Sequence, residues 1–142
     1  MAELGVTETP GTAATPRILE YFKWCPSLPV GMATTDETSW CSALINFGLG
    51  TCKLKHTGSA AARSWERHGR ALPRFVRGGI VVLSRGPDPK HGHVGISLNY
   101  GKQITLLGGN QTAKGCVSIE SYPLWRVVAM RWPSDYTYPF PA

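Results

Sequence analysis

The sequence predicts an α+β domain: N-terminal helices packed on a C-terminal antiparallel sheet of about five strands. Three observations predict it. Helix-spaced apolar residues and helix-start signals fall within residues 16–68. After Gly78-Gly79 the texture changes to short β-branched and apolar runs separated by turn residues. Segregated helices and strands are the mark of an α+β arrangement, and 142 residues at 42% hydrophobic content make one domain with one real core.

Residues 1–15, rich in Thr, Ala, Gly and Pro, read as an irregular arm, residues 16–133 as the domain and residues 134–142 as a tail. Thr15-Pro16 opens the first helix: Thr15 suits the N-cap, and Pro16 at the first helical position loses no needed N–H. Ile18, Leu19 and Phe22 give it an apolar stripe, and it ends before Cys25-Pro26. A second helix spans residues 38–49, capped by Thr38 or Ser39, with Cys41 sharing the inward face of Leu44 and Ile45. A third spans residues 59–68, holds three consecutive alanines and stops at Gly69. Strands are expected at residues 80–83, 94–98, 103–107, 116–119 and 127–131, with Asn99-Tyr100-Gly101 as a hairpin turn. The tail, with its prolines and aromatics, is expected to lie along the surface.

Composition excludes some classes. The longest uninterrupted aliphatic run is Ile80-Val81-Val82-Leu83, whereas a membrane helix needs about 20 apolar residues. Glu3 and Glu8 with no apolar block beside them argue against a Sec-type signal peptide. The net charge is +6, and residues 53–102 carry ten Lys or Arg against two acids, Glu66 and Asp88. Such a segment suits a polyanionic partner (nucleic acid, an anionic envelope surface or a wall polymer) or is simply a solvated basic face. No nucleic-acid-binding motif accompanies the charge.

Of the four cysteines, Cys25, Cys52 and Cys116 read as small buried hydrophobes. Cys41 differs. At a helix start, unsatisfied N–H groups stabilise a thiolate and can donate to an oxyanion. In Lys90-His91-Gly92-His93-Val94-Gly95, His93 begins a strand, a rigid seat for a general base, while His91 lies in a looser loop. In Leu106-Leu107-Gly108-Gly109-Asn110-Gln111, a strand exits through two glycines into two amides. A Cys/His pair needs an acceptor on the second imidazole nitrogen to fix the tautomer; Asn110 fits, and Gln111 can substitute.

These blocks, with Asp36-Glu37-Thr38-Ser39-Trp40-Cys41-Ser42-Ala43, Gly58-Ser59-Ala60-Ala61-Ala62-Arg63-Ser64-Trp65 and Arg131-Trp132-Pro133, run through nearly the whole chain. The chain resembles the papain-like cysteine hydrolases of bacterial cell walls, the NlpC-type and CHAP amidohydrolase/peptidase superfamily, and in particular its small phage- or prophage-encoded branch. The resemblance implies a papain-like fold and hydrolysis of a peptidoglycan amide bond, by stem-peptide endopeptidase or N-acetylmuramoyl-L-alanine amidase action. It implies Cys41 as nucleophile, His93 as base and Asn110 as orienting residue. Trp40, Asp36 and Gln111 are expected to line the substrate cleft. No cofactor or metal, and no nucleic-acid partner, is expected of the monomeric enzyme. It would be made in a bacterial cytoplasm and reach the wall as an endolysin or lytic effector. Relatives usually carry Gly-Asp before the first strand, where this chain has Gly78-Gly79.

Two other readings fit parts of the sequence. His91 and His93, with Asp88 or His68, would give a zinc-dependent peptidoglycan amidase, but that leaves Cys41 and the Gly-Gly-Asn-Gln block without a role. A wall-binding module without turnover would need no such set of residues at all. Adjacent Asp36 and Glu37 cannot flank a glycosidic bond unaided.

Overall fold

A computed structural model of the chain describes residues 2–9, 15–26 and 40–141. Two helices, α1 (Pro16–Phe22) and α2 (Cys41–Thr51), precede six strands: β1 (Arg70–Ala71), β2 (Ile80–Ser84), β3 (Gly92–Tyr100), β4 (Gln103–Gln111), β5 (Cys116–Pro123) and β6 (Val127–Trp132). They form one sheet in the order β1-β6-β2-β3-β4-β5, and every neighbouring pair is antiparallel. The α+β class and the five expected strands are present.

The core lies on both faces of the sheet. On one face Cys41 and Ile45 of α2 meet Trp65, Ile80, Val82 and Val94. On the other, Val81, Leu83, Ile104 and Leu106 pack together, with Tyr122, Leu124 and Met130 against them. Strand β2 is therefore buried on both sides, which is why it reads as an unbroken apolar run rather than an alternating one. A third cluster joins α1 to α2 and β5 through Ile18, Tyr21, Phe22, Trp40, Leu44 and Val117. Each fully buried large side chain contributes about 1.5–3 kcal/mol over its exposed state.

Several local expectations are corrected. The third helix is only a single 3-10 turn, Ala62–Trp65. Polar side chains hold its flanks in other conformations: the Ser59 hydroxyl accepts from the Ala61 N–H, and the Trp65 indole N–H donates to the buried Ser42 hydroxyl. Alanine's helix propensity, a few tenths of a kcal/mol per residue, loses to these contacts. Thr15 is the N-cap of α1, but its hydroxyl donates to the Thr7 carbonyl at 2.5 Å and makes no capping bond. Helix α2 starts at Cys41, with Trp40 as its N-cap; Thr38 and Ser39, expected as caps, lie outside the described residues. The hairpin reverses at Gly101-Lys102, because β3 runs on through Tyr100. Strand β1 carries no apolar signal and exists through pairing with β6, where Arg131 also donates to the carbonyls of His68 and Gly69. Cys52 is exposed at the C-cap of α2, not buried; all four cysteines are free thiols.

Gly78-Gly79 has two local reasons, a left-handed backbone at the first glycine and close neighbours at the second. Gly78 has φ +90°, and a Cβ on Gly79 would lie 2.8 Å from Leu72 Cδ1 and 3.1 Å from the Val76 carbonyl oxygen. An aspartate at position 79 would require the Leu72 side chain to shift and the Val76 carbonyl to give by a few tenths of an ångström. The arm and tail are docked as well. Residues of the arm bond to Val117 and Gly115 at the free edge of β5, which covers an otherwise open sheet edge. In the tail, Tyr138 donates to the Ala71 carbonyl, and the Arg70 and Arg74 guanidiniums sit over the rings of Tyr138 and Phe140. Among the described residues, no helix is long and apolar enough to cross a membrane.

Candidate active site

The N-terminus of α2 and the start of β3 meet at Gly108-Gly109 of β4. A Cβ on Gly109 would come within 2.5 Å of the Trp40 ring, and one on Gly108 within 3.2 Å of His93 Nε2 and 2.8 Å of Gln111 Oε1. The two glycines are thus the floor on which the helix start and the imidazole both rest, the close backbone approach for which a strand uses glycine. Cys41 occupies the first position of α2 and is buried, and Ile45 one turn on holds the helix to the sheet.

His93 is 8% exposed, in register with Leu83 of β2. Its Nε2 lies 2.9 Å from Gln111 Oε1. The roles at that contact follow from the far side of the amide. Gln111 Nε2 donates to the Ser118 carbonyl at 2.7 Å, an atom that can only accept. The Gln111 oxygen therefore faces His93, and the imidazole must carry its proton on Nε2. In the neutral ring, Nδ1 is then the basic nitrogen. Tyr122 completes the arrangement: its hydroxyl donates to the same Gln111 oxygen at 2.8 Å and lies 3.5 Å from His93 Nε2.

The Tyr122 phenol is pushed up to about 12, chiefly by burial, with Glu120 and Cys41 adding to the rise and Arg126 opposing it. It stays a neutral donor throughout the range where an enzyme works. Cys41 thus lies within electrostatic reach of Tyr122.

The residue on the imidazole is Gln111 rather than Asn110, and a β-bulge is the reason. Between β4 and β5 the register runs Gly108↔Ser118 and then Gln111↔Cys116, so β4 carries one extra residue over this interval. Simple alternation from Gly108 puts Asn110 on the His93 side; the bulge moves Gln111 there instead. Asn110 takes the left-handed conformation that the bulge requires, at φ +55°, and lines the cleft beside His93.

Trp40, expected in the cleft, is fully buried: it packs on Tyr21 and Gly109, and its indole N–H donates to Glu8 of the arm at 2.8 Å. Asp36 lies outside the described residues. His91 is exposed and lines a neighbouring cavity, while His93 is buried on Gln111. His68 faces the Lys55 carbonyl and the Trp65 ring. Among the described residues no three of His, Cys, Asp and Glu gather as metal ligands.

The sequence gives no sign of five residues at this site: Arg85, Thr112, Tyr122 and Arg126, which line the cleft, and Ser118, which holds Gln111 from behind. Ser118 and Tyr122 share one face of β5, but which face meets His93 depends on the β4–β5 register. The Gly-Gly pair was the one available signal of a close approach there.

Helix α2 is itself pinned by a buried polar network. Asn46 donates to the carbonyls of Ser42 and Ser59 and accepts from the Gly58 N–H, tying the loop at residues 56–59 to the helix. The start of the Gly-Ser-Ala-Ala-Ala-Arg-Ser-Trp block is thus tied to helix α2. Compared with known protein families, curated proteins and solved structures, the chain matches none.

Proposed function

We propose that this protein is a papain-like cysteine peptidase or amidase that hydrolyses an amide bond of bacterial peptidoglycan. The observation that carries the reading is the His93–Gln111–Ser118 chain, which fixes Nε2 as the protonated nitrogen and leaves Nδ1 as the base, beside a helix that begins on a cysteine. The peptidoglycan substrate rests on the sequence resemblance.

In this mechanism His93 Nδ1 takes the Cys41 thiol proton, and the sulfur attacks the amide carbonyl carbon. N–H groups of the first turn of α2, which the helix's own ladder leaves without acceptors, donate to the oxyanion. The C–N bond breaks as the imidazolium gives its proton to the leaving nitrogen, and an acyl thioester remains. His93 then takes a proton from water. The hydroxyl adds to the carbonyl, the C–S bond breaks, the thiolate takes the proton back from the imidazolium, and the acid product leaves, giving its own proton to solvent to become the carboxylate. Throughout, Gln111 Oε1 accepts from Nε2–H and holds the ring.

Activity on purified wall material tests the proposal. Iodoacetamide should inactivate the enzyme and a chelator should not. His93→Ala should lose at least about 10²-fold, the low end for a lost general base, and His91→Ala far less. Chelator sensitivity with equal losses at both histidines would favour a shared metal instead.

A further inference from the structure

The His93 cleft, about 240 Å³, is rimmed by Arg85 and Arg126. Arg85 also lines a neighbouring cavity of about 450 Å³, together with Lys90 and His91. Among the described residues no carboxylate lines either cavity, and neither arginine forms an ion pair. Arg126 is placed rather than loose: its Nε donates to the Ser84 carbonyl at 3.0 Å, and its guanidinium lies 5.0 Å from the centre of the Tyr122 ring. Tyr122 in turn touches Gln111 and the imidazole. One cation, Arg126, is thus held beside the base by direct contacts, and a second, Arg85, stands exposed where the two cavities adjoin. Four other arginines of residues 53–102 are engaged elsewhere in the fold. Arg63 pairs with Glu66, Arg77 donates to the Leu98 carbonyl, and Arg70 and Arg74 hold the tail.

We infer that Arg85 and Arg126 form a carboxylate-recognition subsite, selecting a peptide that bears a free carboxylate beside the scissile amide. The inference rests on the cysteine-hydrolase reading and adds the chemistry by which the cleft chooses its substrate. Guanidinium groups bind carboxylates through paired, charge-assisted hydrogen bonds, and a carboxamide of the same shape offers only one acceptor and no charge.

The test uses the full chain and two soluble N-acetylmuramoyl tetrapeptides, which contain both the muramoyl–alanine amide and the stem-peptide amides, one with the free α-carboxylate on its glutamyl residue and one with a carboxamide there. Wild type should favour the carboxylate about tenfold in kcat/KM, the scale of one charge-assisted bond. Arg85→Gln and Arg126→Gln should each reduce the ratio, and the double variant should bring it close to one; Lys102→Gln, remote from the cleft, should not change it. Equal handling by wild type, or an undiminished ratio in the double variant, overturns the subsite. Arg126→Gln also removes the bond to Ser84, so Arg85→Gln, at an exposed position, decides the matter if the former misfolds. Binding of both peptides to Cys41→Ala separates the two ideas. If wild type cleaves nothing, the hydrolase reading fails, while an Arg85-dependent preference in binding still upholds the subsite and its absence overturns it.

Discussion

His93 Nε2 and Gln111 Oε1 are 2.9 Å apart, and the other end of the same amide is held on the Ser118 carbonyl. A neutral side chain thereby sets the tautomer of the imidazole. Gln111→Ala should lower kcat/KM by about 10- to 100-fold through loss of that orientation, and Asn110→Ala should lower it less. Nitrogen chemical shifts of the His93 ring give a readout that simple destabilisation would not move: Nε2–H in wild type, a tautomer mixture in Gln111→Ala.

Gly109 is where helix α2 meets the sheet. A Cβ there would press on the buried Trp40 ring from 2.5 Å. Gly109→Ala should cost about 1–3 kcal/mol by overpacking, read as a lower denaturant midpoint. Gly108→Ala should act differently. Its Cβ would meet the Gln111 oxygen and His93 Nε2, so activity should fall more than stability.

The pH dependence of stability has two limbs. Burial holds His68 below its ordinary value of 6.5. The unfolded chain therefore binds that proton first, and stability present above pH 6.5 is lost as pH falls through the lower folded value. His68→Gln should flatten this acid limb. Tyr122 is displaced upward from 10.0 to about 12, so its contribution is complete below pH 10 and lost between those values. Cys25, raised to about 11 chiefly by burial, adds a similar loss starting from 9.0. Tyr21, raised by burial and by its bond to Glu3, titrates in the same upper range, so Tyr122→Phe should reduce the upper part of the alkaline limb and Cys25→Ala remove the lower, in denaturant melts taken across pH.

The basic segment bears on encounter with the wall. Because Arg63, Arg70, Arg74 and Arg77 are engaged within the fold, charge reversal belongs at the exposed Lys53, Arg67 and Lys102. The triple reversal should slow lysis of intact walls at low salt and leave cleavage of a small soluble fragment nearly unchanged. Added salt should slow the wild type in the same way, since such attraction is screened over about 8 Å at physiological ionic strength.

The sequence made the local signals legible and left the long-range ones closed. The β2 run, the Pro16 helix start and the placement of Cys41 at the start of α2 are properties of neighbouring residues, and they hold in the structure. The choice between Asn110 and Gln111 was not of that kind. It turns on one extra residue in β4 against β5, visible only once both strands are paired. Trp40 differs from expectation for a similar reason: it precedes Cys41 in sequence, but its ring turns inward onto Gly109 and Glu8. The alanine-rich segment failed as a helix because Ser42, Ser59 and Trp65 bond across elements that are distant in sequence.

Mass spectrometry of purified peptidoglycan, incubated with wild type and with Cys41→Ala, tests the central claim most directly. The account predicts fragments from wild type in which one amide has gained water, giving a new amine and a new carboxylate, and none from the folded variant. The same fragments from Cys41→Ala, or sugar-bond cleavage by wild type with every amide intact, would contradict it.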